Sequence, residues 1–209
     1  MSAPTAPLVY LVDDNEPFRR STAMLLETAG IDVRDFPGAA QLLKQLECAA
    51  VPGLGACTVS DIRMPDMSGL ELLEEMKRRK YTIPVIFMTA HADIPLAVEA
   101  MRRGAANFIE KPFAAEVMIQ AIRLAAQEDI SQPTGGMTPT SRQPSAKLSS
   151  LTRRERQVLE LVVAGKFNKT IADVLGISTK TVELHRYSVM AKLGVRNVPD
   201  LVKVFLGYQ

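Results

Sequence analysis

The first 127 residues alternate short apolar segments with amphipathic helical patterns. Residues 8–12 form an unbroken apolar run, which is typical of a strand buried on both faces of a parallel sheet. Apolar residues at helical spacing follow over residues 18–26, and Gly30 marks the end of that helix. The alternation continues to residue 127 and predicts five strands and five helices. We therefore expect a doubly wound α/β fold in this region.

Residues 148–209 show a different pattern, made of helices alone. Thr152 and Glu155 have the spacing of a capping box at the start of a helix, and Asn168 is the expected N-cap of the next one. A very short turn that contains Gly176 separates that helix from a longer one. Helix, short turn and helix in this order predict an all-α helix-turn-helix domain.

The segment between these two regions has the composition of a linker. Residues 128–147 contain three prolines, two adjacent glycines and many hydroxyl side chains. Such a segment buries too little apolar surface to fold, so it predicts a flexible connection. The predicted parts of the chain are therefore residues 1–127, the linker 128–147 and residues 148–209.

The charge is distributed unequally between the two predicted domains. Residues 1–127 carry 13 Lys and Arg against 16 Asp and Glu, whereas residues 148–209 carry 10 against 5. The net charges are −3 and +5, and the basic C-terminal domain favours an anionic partner such as nucleic acid. The two cysteines make neither a disulfide framework nor a four-ligand metal site. The sequence lacks a signal-peptide pattern and an apolar run of membrane-spanning length, so we expect a cytoplasmic protein without a membrane partner.

Five polar residues follow the predicted strands. Asp13 and Asp14 end the first strand, Asp61 the third and Thr89 the fourth, and Lys111 follows the fifth. In the flavodoxin-like strand order 2-1-3-4-5 of a five-stranded parallel sheet, the first and third strands are neighbours, so their carboxylates meet in one crevice. Three carboxylates repel one another unless a cation such as Mg²⁺ lies between them, and phosphoryl transfer uses a nucleophile, a metal and cationic donors. The pattern predicts that Asp61 is phosphorylated, with Lys111 and Thr89 contacting the phosphate oxygens.

Residues 8–127 resemble the receiver domain of bacterial two-component response regulators. The resemblance rests on Asp13-Asp14, Asp61, Met64-Pro65, Gly69, Thr89-Ala90 and Lys111-Pro112-Phe113. It implies that a histidine kinase phosphorylates Asp61. It also implies that Mg²⁺ is held by Asp14, by Asp61, by the main-chain carbonyl of Arg63 and, through water, by Asp13.

The same resemblance assigns a switch to two further positions. Phe108 is expected to turn inward when Thr89 moves toward the phosphoryl group, and the Lys111–Pro112 peptide bond is expected to be cis. Arg63 and His91 flank the expected path of water to that group, and neither is a carboxylate or amide suited to orienting water. We therefore hypothesise slow self-dephosphorylation, with the alternative that both are surface residues without a kinetic role.

The second helix of the predicted helix-turn-helix carries the candidate DNA contacts, because that helix enters the major groove with its N-terminal half. The candidates for base edges are Glu183, Leu184 and Tyr187. The candidates for phosphates are Lys169, Lys180, Arg186 and Lys192. Thr179 and Thr181, in the first turn of the helix, complete the predicted DNA-binding set. The acidic Glu183 could accept a hydrogen bond from cytosine N4 or simply avoid phosphate.

Residues 148–206 resemble a LuxR/NarL-type DNA-binding domain, and the chain as a whole is similar to regulators of the FixJ type. The motifs are Leu151-Thr152-Arg153-Arg154-Glu155, Asn168-Lys169-Thr170-Ile171-Ala172, Gly176-Ile177-Ser178, Thr181-Val182, His185 and Lys192-Leu193-Gly194. The resemblance implies that phosphorylation causes homodimerisation through the fourth helix and fifth strand and frees the DNA-binding domain. The expected dimer surface consists of Val98, Met101 and Arg102. The expected partners are a histidine kinase, double-stranded DNA with two-fold or direct-repeat half-sites, and RNA polymerase.

These observations together predict a regulator of transcription controlled by phosphorylation of Asp61, and not an enzyme beyond its own phosphorylation and dephosphorylation. One alternative is a regulator that is switched by protein contact without phosphate. Another is an aspartyl-phosphate hydrolase, which usually carries a second catalytic Asp two residues after the nucleophile. Arg63 occupies that position in this chain.

Overall fold

The computed structural model describes residues 6–48, 55–90, 94–127 and 148–206. Contacts between residues divide the described chain into two compact units, residues 6–48, 55–90 and 103–127 in the first and residues 94–102 and 148–206 in the second. The predicted linker, residues 128–147, lies outside the described residues. The domain limits therefore remain a prediction.

A five-stranded parallel sheet forms the centre of the first unit, and its order β2-β1-β3-β4-β5 confirms the predicted topology. The strands are β1 (Leu8–Val12), β2 (Asp32–Phe36), β3 (Ala56–Asp61), β4 (Val85–Thr89) and β5 (Asn107–Glu110). β1 pairs with β3 so that Val12 lies opposite Ser60. This register places Asp13 and Asp61, which come next in the two strands, at the same edge of the sheet.

In the described residues, four helices belong to the first unit with this sheet. They are α1 (Glu16–Thr28), α2 (Ala39–Cys48), α3 (Gly69–Arg78) and α5 (Ala115–Gln127). Asn15 caps α1 by accepting a hydrogen bond from the N–H of Phe18. Ser68 and Glu71 form a capping box at the start of α3, just after the turn that follows Asp61. The caps fix the helix starts that lie beside the acidic residues.

The first unit has core side chains on both faces of the sheet, because successive residues of a strand point to opposite sides. One cluster joins β1, β3 and β4 to α1 and α5, with Leu26 and Met118 fully buried in it. On β2, by contrast, three of five residues are exposed, as suits an edge strand. The core cluster thus includes β1 and β3, the two strands that lead into Asp13 and Asp61.

The second unit is helical in its described residues. Its C-terminal helices are α6 (Arg153–Val163), α7 (Asn168–Leu175), α8 (Thr179–Leu193) and α9 (Val198–Leu206). The predicted capping box between Thr152 and Glu155 is present at the start of α6. Gly176 ends α7 in the left-handed conformation, φ +64°, and the turn leads directly into α8. The predicted helix-turn-helix is therefore formed by α7 and α8.

Helix α4 (Ile94–Arg102) is grouped with the second unit, although the sequence pattern assigned it to the first domain. Within that unit it contacts α9 and α6. Val98 and Met101 on α4 are each 2% exposed, whereas Arg102 is exposed. Two of the three residues expected to form a dimer surface are therefore covered in this structure.

Candidate functional site

Two carboxylates share one ammonium group at the carboxyl edge of the sheet. The Nζ of Lys111 lies 2.6 Å from Oδ2 of Asp13 and 2.7 Å from Oδ2 of Asp61. Asp13 is fully buried, and the side chains of Lys111 and Asp61 are 12% and 14% exposed. A buried carboxylate is costly unless it is paired, and Lys111 supplies that pairing for both acids.

Asp14 completes an acidic cluster with these two residues. Ligand atoms of Asp13, Asp14 and Asp61 lie within 4.8 Å of one another, and Asp14 is exposed to solvent. Three carboxylates with one open side suit Mg²⁺, which takes oxygen ligands and usually keeps several waters. The structure thus brings together the three acids that the sequence placed at the ends of the first and third strands.

The main chain and an unpredicted arginine hold Asp13 in place. Oδ1 of Asp13 accepts the N–H of Asn15 at 2.9 Å, and its carbonyl oxygen accepts Nη1 of Arg19 at 2.7 Å. Arg19 is only 9% exposed, and its Nε donates to Asp35 at the end of β2. Sequence reasoning missed Arg19, although it has the helical spacing of the buried Thr22 and Leu26 and so lies on the inner face of α1.

Asp61 is positioned by the turn that follows it. The N–H of Arg63 donates to Oδ1 of Asp61 at 3.1 Å, while the side chain of Arg63 is exposed. Gly69 approaches the same strand end, and its N–H donates to the carbonyl of Ile62 at 2.9 Å. A Cβ at position 69 would overlap the main-chain oxygen of Asp61. Glycine is therefore required there to let α3 begin beside the acidic cluster.

The remaining receiver residues lie at the ends of β4 and β5. Thr89 is 1% exposed at the end of β4, and its carbonyl accepts the N–H of Lys111 at 2.8 Å. Phe108 on β5 is 6% exposed, so its ring already lies inside in this structure. The Lys111–Pro112 bond is cis, as expected. His91 lies outside the described residues.

Two aromatic side chains border the ammonium group of Lys111. Its Nζ lies 4.0 Å from the centroid of the Phe18 ring. Phe113 meets the same ring edge-on, with 6.1 Å between centroids and an angle of 88° between planes. Phe18 was predicted only as an apolar residue of the first helix, because the sequence pattern carries no information on which side chain its ring faces.

The outer side of α8 carries the residues predicted to read bases. Leu184 and Tyr187 are 64% and 77% exposed, and Glu183 is also exposed. Val182 and Val189 on the opposite side are buried. Large exposed apolar side chains on a basic unit are typical of a surface that binds a partner, and both can contact the methyl group of thymine.

The remaining candidate DNA contacts, at the start of α8 and on α7, differ in their exposure to solvent. Thr179, Lys180 and, on α7, Lys169 are exposed. Thr181 is partly buried, and its N–H donates to the hydroxyl of Ser178, which caps the helix. Thr181 thus helps to fix the first turn of α8.

Arg186 links the two helices of the helix-turn-helix. Its Nη1 donates to Oδ1 of Asn168 at 2.7 Å, and burial lowers the pKa of the guanidinium from its usual value. Asn168 was expected to cap α7, but the N-cap is Phe167 and Asn168 is the first helical residue. The prediction of the cap was wrong because the Asn168 side chain makes a tertiary contact instead of a local one.

Lys192 makes intramolecular contacts near the end of α8. Its Nζ lies 2.7 Å from Oε2 of Glu155 and 3.4 Å from the carbonyl of Ser150. Oε1 of Glu155 accepts the hydroxyl of Ser188 at 2.5 Å. Of the four cations predicted to meet phosphates, Lys169 and Lys180 are therefore the ones with exposed side chains and no ion pair among the described residues.

Comparison with known proteins agrees with this arrangement. The family model described as response regulator receiver domain matches residues 9–123, and that of the luxR family of bacterial regulatory proteins matches residues 149–205. The transcriptional regulatory protein FixJ of Azorhizobium caulinodans is 44% identical over 198 residues, covering 95% of this chain and 91% of that protein. The chain belongs to the FixJ-type response regulators.

Further relatives also match this chain over almost its whole length. FixJ of Rhizobium meliloti is 44% identical over 95% of this chain and 94% of its own length. The solved structure of the response regulator StyR has a TM-score of 0.54 and 39% identity, covering 97% of this chain and all of that one. The chain is thus a transcriptional response regulator with a receiver domain and a LuxR-type DNA-binding domain. No helix in the described ranges has the length and apolar character needed to span a bilayer.

Proposed function

We propose that Asp61 accepts a phosphoryl group from a sensor histidine kinase and that this modification controls dimerisation and DNA binding. The observation that carries the proposal is the ammonium of Lys111 between Asp13 and Asp61, in a cluster with Asp14. In the transfer, a carboxylate oxygen of Asp61 forms a bond to phosphorus, the P–N bond of the phosphohistidine breaks and the imidazole leaves.

The proposed metal is Mg²⁺, held by Asp13, Asp14 and Asp61 with the main-chain carbonyl of Arg63. When bound, the cation neutralises charge on the transferring phosphoryl group. The ammonium of Lys111 then donates a hydrogen bond to a phosphoryl oxygen as well as to Asp61. The hydroxyl of Thr89 is the second group of this chain that donates to the phosphoryl oxygens. The buried Phe108 is the proposed switch residue, whose side chain moves in response to the movement of Thr89.

The proposed output is a dimer that binds two DNA half-sites. Val98, Met101 and Arg102 of α4 are the proposed dimer surface, and the burial of Val98 and Met101 means that they must first become exposed. The two recognition helices of the dimer then bind the two half-sites at the same time. Once one helix is bound, the other is held at a high effective concentration near its half-site, and this raises the affinity for DNA. RNA polymerase is the further partner proposed for a DNA-bound regulator of transcription.

The experiment is sedimentation of the full-length protein with Mg²⁺, before and after addition of beryllofluoride, a stable phosphoryl mimic. Asp61→Asn is the matched control because it keeps the shape of the side chain. We expect only the wild type to change from monomer to dimer. If neither protein responds, Asp61 is not the switch, and a regulator controlled by protein contact becomes the better explanation.

A further inference from the structure

The first turn of α1 places an aromatic ring against the ammonium group of the acidic cluster. The Nζ of Lys111 lies 4.0 Å from the centroid of Phe18 and 2.6 and 2.7 Å from oxygens of Asp13 and Asp61. The Lys111 side chain is only 12% exposed. Two carboxylates and one ring face therefore surround the ammonium and leave little room for water.

The ring of Phe18 is itself held from two directions. The N–H of Phe18 donates to Oδ1 of Asn15 at 3.0 Å, which ties this residue to the cap of α1. The Phe113 ring packs edge-on against it, at 88° and 6.1 Å, and Phe113 lies only two residues after Lys111. The loop that carries the ammonium and the helix that carries the ring are thus joined by a second aromatic contact.

A lysine ammonium at the end of four methylene groups has many rotamers, and its position must be fixed by its neighbours. The face of an aromatic ring carries partial negative charge and attracts a cation at this distance. An aliphatic side chain at position 18 would fill much of the same space without that attraction. The ring therefore supplies a directional contact that packing alone does not.

We propose that Phe18 is a positioning residue for Lys111, whose ammonium it holds over the oxygens of Asp13 and Asp61 so that phosphoryl transfer to Asp61 is faster. Phe18 does not touch the reacting atoms and acts only through Lys111. The inference rests on the proposed phosphorylation of Asp61 for its kinetic part. Its structural part, the contact between ring and ammonium, is independent of phosphorylation.

The kinetic test uses full-length protein, Mg²⁺ and phosphoramidate as donor, with phosphorylation followed by intact mass. In this reaction an oxygen of Asp61 bonds to phosphorus, the P–N bond breaks and ammonia leaves. Phe18→Leu should lower the rate constant at saturating donor about 3- to 10-fold, with the half-saturating donor concentration unchanged, whereas Phe18→Tyr should stay within about 2-fold of wild type. Met24→Leu is the control, because Met24 lies on the same helix and is 71% exposed.

The structural test uses the same variants without any phosphoryl donor. In protein labelled with ¹³C-lysine, the Cε protons of Lys111, assigned with Lys111→Arg, should be shifted upfield by the ring current of Phe18. The shift should disappear in Phe18→Leu and persist in Phe18→Tyr, and melting temperatures identify any variant that is only destabilised.

The outcomes separate the two proposals. A wild type that is not phosphorylated overturns the proposed function, while the Lys111 resonance still decides whether the ring contact exists. A phosphorylated wild type with an unshifted Lys111 resonance, a Phe18→Leu rate equal to wild type, or a Phe18→Tyr rate as low as that of Phe18→Leu overturns the positioning role of Phe18.

Discussion

The Nζ of Lys192 lies 2.7 Å from Oε2 of Glu155 and ties the end of the recognition helix α8 to the start of α6. Glu155 is 5% exposed, and it also accepts the hydroxyl of Ser188 and the N–H of Thr152. One carboxylate thus closes the capping box of α6 and anchors two residues of α8. Its hydrogen bonds with Lys192, Ser188 and Thr152 lower the pKa of Glu155 to about 2.

Replacing Lys192 should destabilise the DNA-binding unit. Lys192→Met keeps the aliphatic part of the side chain but leaves the buried carboxylate of Glu155 without its cation. We expect the free energy of unfolding to fall by about 1–3 kcal/mol, measured by urea denaturation. Lys166→Met is the matched control, since Lys166 is exposed, and it should stay close to wild type. An equal loss in both variants would rule out a special role for the Glu155 pair.

The Glu155 carboxylate should also make the stability of the DNA-binding unit depend on pH in the acid range. The folded-state pKa of Glu155, about 2, lies below the ordinary glutamate value of 4.5, so the unfolded chain binds its proton first as pH falls. The stabilisation is therefore complete above about pH 5 and is lost as pH falls from there toward 2. The stability difference between wild type and Glu155→Gln should shrink over this window in urea titrations. A difference that is constant with pH would contradict the ion-pair origin.

The elements and strand-end residues could be predicted because they follow from local patterns and from topology. Asp13 and Asp61 lie far apart in the chain, but parallel pairing of β1 with β3 leaves their positions little freedom. The cis bond before Pro112 and the capping box at Thr152 are likewise tied to short motifs. Such features need no knowledge of side-chain packing.

Contacts between distant side chains could not be predicted in this way. Lys192 and Arg186 are predicted phosphate contacts, and the sequence pattern of a basic side chain on a recognition helix is the same whether or not the side chain also contacts a neighbouring helix. The structure places them on Glu155 and Asn168. The contact of Phe18 with Lys111 depends on rotamers of residues 93 positions apart (111 minus 18), which periodicity does not encode.

The salt dependence of DNA binding should distinguish Lys180 from Lys192. Lys180 is exposed at the start of α8 and is free to lie against a phosphate, whereas Lys192 is paired with Glu155. With a non-specific duplex, Lys180→Ala should reduce the slope of log affinity against log salt by about 1, because one fewer counterion is released. Lys192→Met should leave the slope unchanged. The opposite ranking would mean that Lys192 leaves Glu155 in the complex.

The lifetime of the phosphoryl group should depend on residue 63. The Arg63 side chain is exposed, and it is its main-chain N–H that contacts Asp61, so a substitution preserves that hydrogen bond. Arg63→Asn supplies an amide that can orient water, and we expect the lifetime after removal of donor to shorten about 2- to 10-fold. Arg63→Met, which offers no hydrogen bond to water, should resemble wild type. Equal lifetimes in all three proteins would assign Arg63 no kinetic role.

A methyl group at Gly69 should damage the site by displacing Asp61. The added Cβ would overlap the main-chain oxygen of Asp61 and lie 2.9 Å from the Phe87 ring, both in a tightly packed region. Alanine stabilises a helix by about 1 kcal/mol relative to glycine. The steric overlap of its Cβ with Asp61 and Phe87 costs more than this, so we expect a net destabilisation of about 1–3 kcal/mol. Phosphorylation by phosphoramidate should slow as well, because the nucleophile moves relative to Lys111. Gly38→Ala is the control, since its Cβ would meet only the flexible end of Gln41 at 3.1 Å; if it slows phosphorylation equally, the displacement of Asp61 is not the cause.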